Sequence, residues 1–433
     1  MKRVLEAPEI ADVVSMTHDG RGVARVDAKP VVIDGALQGE SVAFVRTRRR
    51  RGHDEARLDR VLVDSPQRVT PRCAYFGTCG GCSMQHVAPS SQLEIKERVL
   101  LENLERIGGL RPLRVLDPVA GPSWGYRRRA RLGVRYVEKK GRVLVGFRER
   151  NKPWIADMRA CEVLAAPFGA LIEPLSALIG GLSLRSRIPQ IELAAGDDCA
   201  AMVLRVLAEP SAADLENLRR FEARHRVDCY LQPGGTDSGR PLHGKGAPLS
   251  YRIPRFDLNF EFQPTDFVQI NREVNRGLVD LVVDLLAPGA DDRVLDLFCG
   301  LGNFTLPLAR SAASVIGVDG DANLVDRARH NAARNGIGNA QFLQADLFAA
   351  PDAAVREASD LMLLDPPRTG AAAVVGAGLQ ARRIVYVSCH PATLARDAAA
   401  ITQGGAYELT AAGIVDMFPH TSHIECVAVL DAK

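Results

Sequence analysis

The chain has 433 residues, 46% hydrophobic and 25% charged, as expected for a soluble globular protein of two to four domains at about 150 residues each. Its apolar runs break within about 10 residues, too short for a bilayer span. The opening Met1-Lys2-Arg3-Val4-Leu5-Glu6 lacks the apolar core of a secretion signal. These features exclude a membrane-spanning or secreted class and predict a cytoplasmic protein. Nine cysteines in a chain of this length argue against a disulfide scaffold and invite metal or catalytic readings. The net charge is only +3, but residues 110–152 hold thirteen Lys/Arg against three acids, Asp117, Glu138 and Glu149. That local balance of +10 leaves −7 for the rest. A second run, Arg46-Thr47-Arg48-Arg49-Arg50-Arg51, follows an alternating apolar stretch. Segregation of this kind fits a surface facing a polyanion, the other meaning being a solvated charged face.

In chain order, 10–14, 22–26, 31–33, 40–45 and 57–63 are apolar or alternating and are punctuated by Gly and Asp. About five short strands in about 55 residues predict a small OB-like barrel, a fold that commonly binds nucleic acid. Residues 70–90 are dense in Cys and Gly. The spacing of Leu93, Val99, Leu100, Leu104 and Ile107 predicts a helix over 92–107, stopped by Gly108-Gly109. Segments 131–136 and 142–147 predict further strands within 125–262. From about 290 onward, strand-like runs at 293–297, 314–318, 361–364 and 383–387 alternate with Ala-rich helical stretches. That alternation predicts a parallel sheet covered by helices.

The segment 294–304 reads as strand, glycine loop and helix start, with Gly300-Leu301-Gly302 at the turn. Glycine there lets the backbone approach a bound nucleotide closely. The next strand ends in Asp319, placed to bind ribose hydroxyls, and Asp346 follows the strand after that, toward an adenine. The absent third glycine and the leading Asp296 fit S-adenosylmethionine better than a dinucleotide. Cys389 follows the strand-like 384–388, at the carboxyl end where parallel sheets do chemistry, and Asp365 follows the preceding strand. A buried structural thiol is the commoner fate of a lone cysteine, but Glu425 precedes a further strand. A thiolate, a carboxylate base and a methyl donor together suit C5 methylation of uracil. Thiolate addition at C6 makes C5 enolate-like, C5 takes the methyl group, and a base then removes the C5 proton. Cys389 is the expected nucleophile and Glu425 the base.

Cys73, Cys79 and Cys82 cluster around Cys79-Gly80-Gly81-Cys82, with Cys161 remote. Three clustered ligands and one distant one fit a [4Fe–4S] cluster better than zinc, whose sites usually come as two paired knuckles. Zinc and unligated thiols stay open on spacing alone. Cys199, Cys229 and Cys426 have no such neighbours and read as structural.

These motifs resemble the RumA/RlmD family of 23S rRNA (uracil-C5)-methyltransferases, relatives of the tRNA enzyme TrmA. The resemblance rests on the cysteine set with Cys82-Ser83-Met84-Gln85-His86, the loop 296–304, Asp365-Pro366-Pro367-Arg368, Ser388-Cys389 and His423-Ile424-Glu425, and it covers nearly the whole chain. It implies an α/β chain in three parts. These are an OB-like TRAM barrel over 1–65, a central α+β iron–sulfur RNA-binding domain over 66–262, and a Rossmann-like class I S-adenosylmethionine methyltransferase domain over 263–433. Helix 92–107 is implied to pack on the catalytic domain. Carried over by motif, Cys73, Cys79, Cys82 and Cys161 are implied cluster ligands. Gln269, Phe298, Asn303, Asp319, Asp346 and Asp365 are implied donor-binding residues, and Cys389 and Glu425 nucleophile and base. Barrel and cysteines together point to uridine 1939 of 23S rRNA, with no membrane and no obligate protein partner. A TrmA-like tRNA enzyme and an RNA-binding iron–sulfur redox sensor are the alternatives. His390 stands where the family usually has Asn, and Asp319 where Glu is common.

Overall fold

The computed structural model describes residues 7–17, 19–244, 246, 248–349 and 359–433; the first six residues, considered above as a leader, lie outside these. The chain forms two compact units. One comprises Met1–Val99, Arg148–Pro153 and Phe418–His423, the other Leu100–Phe147, Trp154–Met417 and Ile424–Lys433.

In the first unit, β1 (Glu9–Met16), β2 (Gly22–Val26), β3 (Lys29–Asp34), β4 (Ser41–Arg49) and β5 (Asp54–Val63) close a barrel in the order β1-β2-β3-β5-β4. Alternation sends Val13, Ala24, Val31, Ile33, Val42, Phe44 and Ala56 inward to form its core. The strand predicted over 40–45 extends into the arginine run. β4 continues through Arg49, because Arg46 is held from two neighbouring strands, by Glu9 at 2.7 Å and by Asp54. Lys29 and Arg46 beside Asp54 hold its carboxyl down at about 2. A second cluster, Leu37, Met84, Val87 and Ile95, gathers the segment after the barrel.

Helix α1 (Pro89–Gly108) is longer than its apolar spacing predicts. Its stripe runs through Ile95, Val99, Leu100 and Leu104, but Ile107 is 51% exposed. Gly108 takes the inward place in the last turn instead, where a Cβ would come within 2.9 Å of the Ala395 carbonyl.

The second unit continues with β6 (Arg114–Val115), β7 (Arg129–Val137), β8 (Arg142–Gly146), α2 (Ile172–Gly180), β9 (Gln190–Ala195), β10 (Ala200–Arg205), α3 (Ala212–His225), β11 (Asp228–Gln232) and β12 (Arg240–Pro241). Six of these strands form a sheet in the order β12-β11-β10-β9-β7-β8, and β13 (Leu249–Ile253) pairs with β14 (Leu258–Phe262) as a hairpin.

The remainder is the predicted alternation: α4 (Arg272–Leu286), β15 (Arg293–Leu297), α5 (Thr305–Ala309), β16 (Ser314–Asp319), α6 (Ala322–Arg334), β17 (Ala340–Gln344), β18 (Leu361–Leu364), α7 (Ala372–Gly376), β19 (Arg383–Ser388), α8 (Pro391–Thr402), β20 (Tyr407–Val415) and β21 (Glu425–Ala432). The sheet order is β17-β16-β15-β18-β19-β21-β20-β6. β15 to β19 run parallel, and β21 is inserted antiparallel between β19 and β20. Strands buried on both faces, such as Leu361–Leu364, read as unbroken apolar runs for that reason. Among the described residues no helix is long and apolar enough to cross a membrane.

Candidate active site

Strand register assembles the crevice. Leu297 pairs with Val318 on one side and Leu364 on the other. The next residues of those strands, Phe298, Asp319 and Asp365, therefore leave the sheet at one level. This is the carboxyl edge where the strand order reverses, the place such sheets bind ligands.

The turn after β15 is built for a close approach. Phe298, Gly300 and Gly302 have φ of 66°, 55° and 91°. Glycine adopts this region readily, whereas Phe298 is held there at a cost on the order of 1 kcal/mol. The Gly300 N–H donates to Asp319 Oδ2 at 2.9 Å, so the acid at the end of β16 also braces the turn. Asp296 is fully buried and accepts the Thr305 hydroxyl at 2.5 Å, while its Oδ1 lacks a hydrogen-bond partner among the described residues. Burial pushes its carboxyl up to about 7. An unpartnered buried oxygen under a glycine turn, with the Asp319 carboxylate beside it, fits a nucleoside-bearing methyl donor.

The other expected donor residues occupy distinct positions. Asn303 is part-exposed in the turn after β15 and is held by Tyr251 and Asn275, neither of which the sequence reading assigned a role. Asp346 is exposed and accepts the Phe348 N–H at 2.8 Å; the Phe348 ring lies 5.8 Å from that of Phe298. Gln269 is part-exposed in the segment that leads into α4, two residues before its N-cap Asn271.

At the far end of the crevice, β19 and β21 pair Ser388 with Cys426 in antiparallel register. One step on, the same register sets Cys389 opposite Glu425. Glu425 is 4% exposed. Burial, reinforced by Asp365, raises its carboxyl well above the ordinary carboxylate range. Asp365 itself is pushed up to about 8, by burial first and then by Asp296 and Asp319. Cys389 is part-exposed, and its thiol is raised by burial and Glu425, while the Arg368 guanidinium hydrogen-bonds it and opposes the shift. Arg368 belongs to the Asp365-Pro366-Pro367-Arg368 motif, yet the sequence offered no reason to give it a role. Its carbonyl accepts the Thr393 hydroxyl of α8 at 3.0 Å, which fixes its loop beside Cys389.

His390 explains its own departure from the family pattern. It is the N-cap of α8, its Nδ1 accepting the Thr393 N–H at 3.3 Å. Asn is among the best residues for that position, and a ring nitrogen supplies the same acceptor.

The cysteine loop lies in the first unit, where Gly81 N–H points at Cys79 Sγ at 3.4 Å and Gln85 accepts the Cys73 N–H at 3.2 Å. Cys161 belongs to the second unit and is buried. The thiolate donors fit iron or zinc chemically. Among the described residues, however, no three His, Cys, Asp or Glu side chains gather closely enough to hold a metal ion.

Part of the basic stretch is paired within the second unit. Arg128, just before β7, is buried, and Arg129, the first residue of that strand, is part-exposed. Arg128 pairs with Asp197 at 3.0 Å and Arg129 with Glu192 at 3.4 Å. Arg131, Lys140 and Arg142 also pair within the second unit, with Glu192, Asp157 and Glu173.

Sheet order, the glycine turn after β15 and the acid at the end of β16 define a class I methyltransferase fold. Residues 250–433 match the family described as tRNA (Uracil-5-)-methyltransferase. The chain is 48% identical over 438 residues to the 23S rRNA (uracil(1939)-C(5))-methyltransferase RlmD of Stenotrophomonas maltophilia K279a, covering 100% of this chain and 99% of that one. The protein of the same name from Aromatoleum aromaticum is 49% identical over 429 residues, covering 98% and 99%. Among solved structures, a Pyrococcus abyssi tRNA (uracil-54, C5)-methyltransferase in complex with S-adenosyl-L-homocysteine superposes with a TM-score of 0.74 at 25% identity, over 97% of this chain and 99% of that one. The chain belongs to the RlmD family of 23S rRNA (uracil-C5)-methyltransferases.

Proposed function

We propose that this protein transfers a methyl group from S-adenosylmethionine to C5 of uridine 1939 in 23S rRNA, in the cytoplasm. The observation that carries the reading is the β19–β21 register, which faces Cys389 with a buried carboxyl at the ligand-binding edge of the sheet. The Cys389 thiolate adds to C6, and the C5–C6 π electrons move onto the ring carbonyl as an enolate. C5 then bonds the methyl group while the methyl–sulfur bond of the donor breaks, its electron pair staying on sulfur. Glu425, as carboxylate, takes the C5 proton. The C5–C6 double bond re-forms and the thiolate leaves. The burial that raises Glu425 makes its carboxylate a stronger proton acceptor. Gln269, Phe298, Asn303, Asp319, Asp346 and Asp365 hold the donor. What it supplies is an electrophilic methyl group.

The target base must leave its stack to enter the crevice, at roughly a few kcal/mol, which favours a loop uridine. The barrel is proposed as the TRAM domain that binds RNA, within the three-part division 1–65, 66–262 and 263–433. A [4Fe–4S] cluster on Cys73, Cys79, Cys82 and Cys161 is proposed from their spacing and from thiolate donor chemistry, as a structural element outside the reaction. Anaerobically purified protein is then expected to hold about four irons and to absorb visible light; one zinc and no colour would overturn it.

In RNA from a strain lacking the gene, a single 5-methyluridine of 23S rRNA is expected to disappear. It returns with the wild-type gene and not with Cys389→Ala. Loss from tRNA with intact 23S rRNA would replace the substrate, and rescue by Cys389→Ala would refute the nucleophile.

A further inference from the structure

The side-chain amide of Asn303 is oriented by its protein partners. Its Oδ1 accepts the Tyr251 hydroxyl at 2.8 Å and the Asn275 Nδ2 at 3.0 Å, and its own Nδ2 donates back to Asn275 Oδ1 at 3.0 Å. Both oxygen lone pairs and one of the two N–H groups are thereby used. A single N–H remains, so the side chain can offer a ligand a donor and nothing else. The two partners are well protected. Tyr251 is 3% and Asn275 4% exposed, whereas Asn303, in the turn after β15, is part-exposed.

Each partner is fixed from behind. Tyr251 lies in β13, its ring stacked on Phe260 at 5.0 Å between centroids and 7° between planes. The buried Arg128 guanidinium sits over the Tyr251 ring, 5.6 Å from its centroid, and is itself anchored by Asp197. Asn275 is in the first turns of α4, whose N-cap Asn271 bonds the Val274 N–H. Hydrogen bonds in so dry a setting are costly to leave unmade, and the arrangement is accordingly rigid.

We propose that Tyr251 and Asn275 are positioning residues for the methyl donor, locking Asn303 so that its one remaining N–H meets an acceptor oxygen of S-adenosylmethionine. The inference rests on the reading of Asn303 as a donor-binding residue. Without the Tyr251 hydroxyl only the reciprocal pair with Asn275 remains, and because two amides can form that pair after turning over together, Oδ1 can come to face the ligand, where two acceptors would repel.

The test measures binding and turnover separately in the full-length protein. Tyr251→Phe is expected to weaken S-adenosylhomocysteine binding, read by calorimetry, by roughly 3- to 10-fold and to raise KM for S-adenosylmethionine equally. At saturating donor kcat stays within about twofold of wild type, because the reacting centre at Cys389 is untouched. A purely structural role would instead lower the melting temperature and kcat with no preferential effect on KM. Asn303→Asp, which keeps both acceptor contacts but removes both N–H groups, the free one and the one given to Asn275 Oδ1, is expected to weaken binding more than Tyr251→Phe does. The double variant Tyr251→Phe/Asn303→Ala is expected to bind no more weakly than Asn303→Ala alone. Unchanged binding in Asn303→Ala would overturn the assignment of Asn303. Weakened binding in Asn303→Ala with wild-type binding in Tyr251→Phe would overturn the lock alone.

Discussion

Around Cys389 the protein places two carboxyls, Asp365 and Glu425, and one guanidinium, Arg368. Burial and Glu425 hold the proton on the thiol, and Arg368 alone among these groups releases it. The thiolate is the reactive form, so a raised thiol needs a higher pH to react. Alkylation of Cys389 by iodoacetamide, followed on its own peptide by mass spectrometry, is expected to rise with pH above the range of an ordinary thiol. In Arg368→Gln that rise is expected to move to still higher pH, with a fall in kcat. A curve that does not move would leave Arg368 without a part in activating the thiol. Nothing in the sequence could rank Arg368 above its neighbours Asp365 and Pro366, because its value depends on which charges surround one sulfur.

The loop 365–371 is useful only if it is held, and α8 holds it. Asp397, 2% exposed, accepts the Tyr386 hydroxyl at 2.6 Å from β19 and the Ala371 N–H at 2.8 Å from the loop. The Arg396 guanidinium donates to the Thr369 carbonyl at 2.9 Å. Gly370, at φ +82°, permits the approach, since a Cβ there would collide with Thr393 and Asp397. Asp397→Asn puts an NH2 where two donors converge. It is expected to lower unfolding stability by about 1–3 kcal/mol in a denaturant titration, and to lower kcat through the shifted Arg368. An unchanged midpoint would show that the clamp contributes nothing. At this scale the sequence was legible where one period dominates. The runs over 293–297 and 361–364 coincide with β15 and β18, whereas β4 ran on through arginines because its partners lay on other strands.

Over the whole molecule, a local count of charge does not say how a basic stretch is paired. The densest one sends Arg128 into the interior of the second unit against Asp197 and sets the part-exposed Arg129 against Glu192. These partners lie more than sixty residues away in sequence, and the acids that neutralise the stretch are spread through the rest of the chain, where a local count misses them. The barrel was legible because a closed five-stranded sheet needs inward alternation on every strand, and alternation is written locally.

By itself the sequence determined the kinds of chemistry available. A glycine turn, an acid after the next strand, a thiol and a carboxyl at strand ends, and four spaced cysteines are local signals, because turns and strand termini demand particular residues at particular spacings. Tertiary structure decided which of them meet. The antiparallel insertion of β21 sets Glu425 against Cys389, and Tyr251 reaches Asn303 across 52 residues of chain. Pairing across such distances depends on register and topology, which arise only when the whole sheet is assembled.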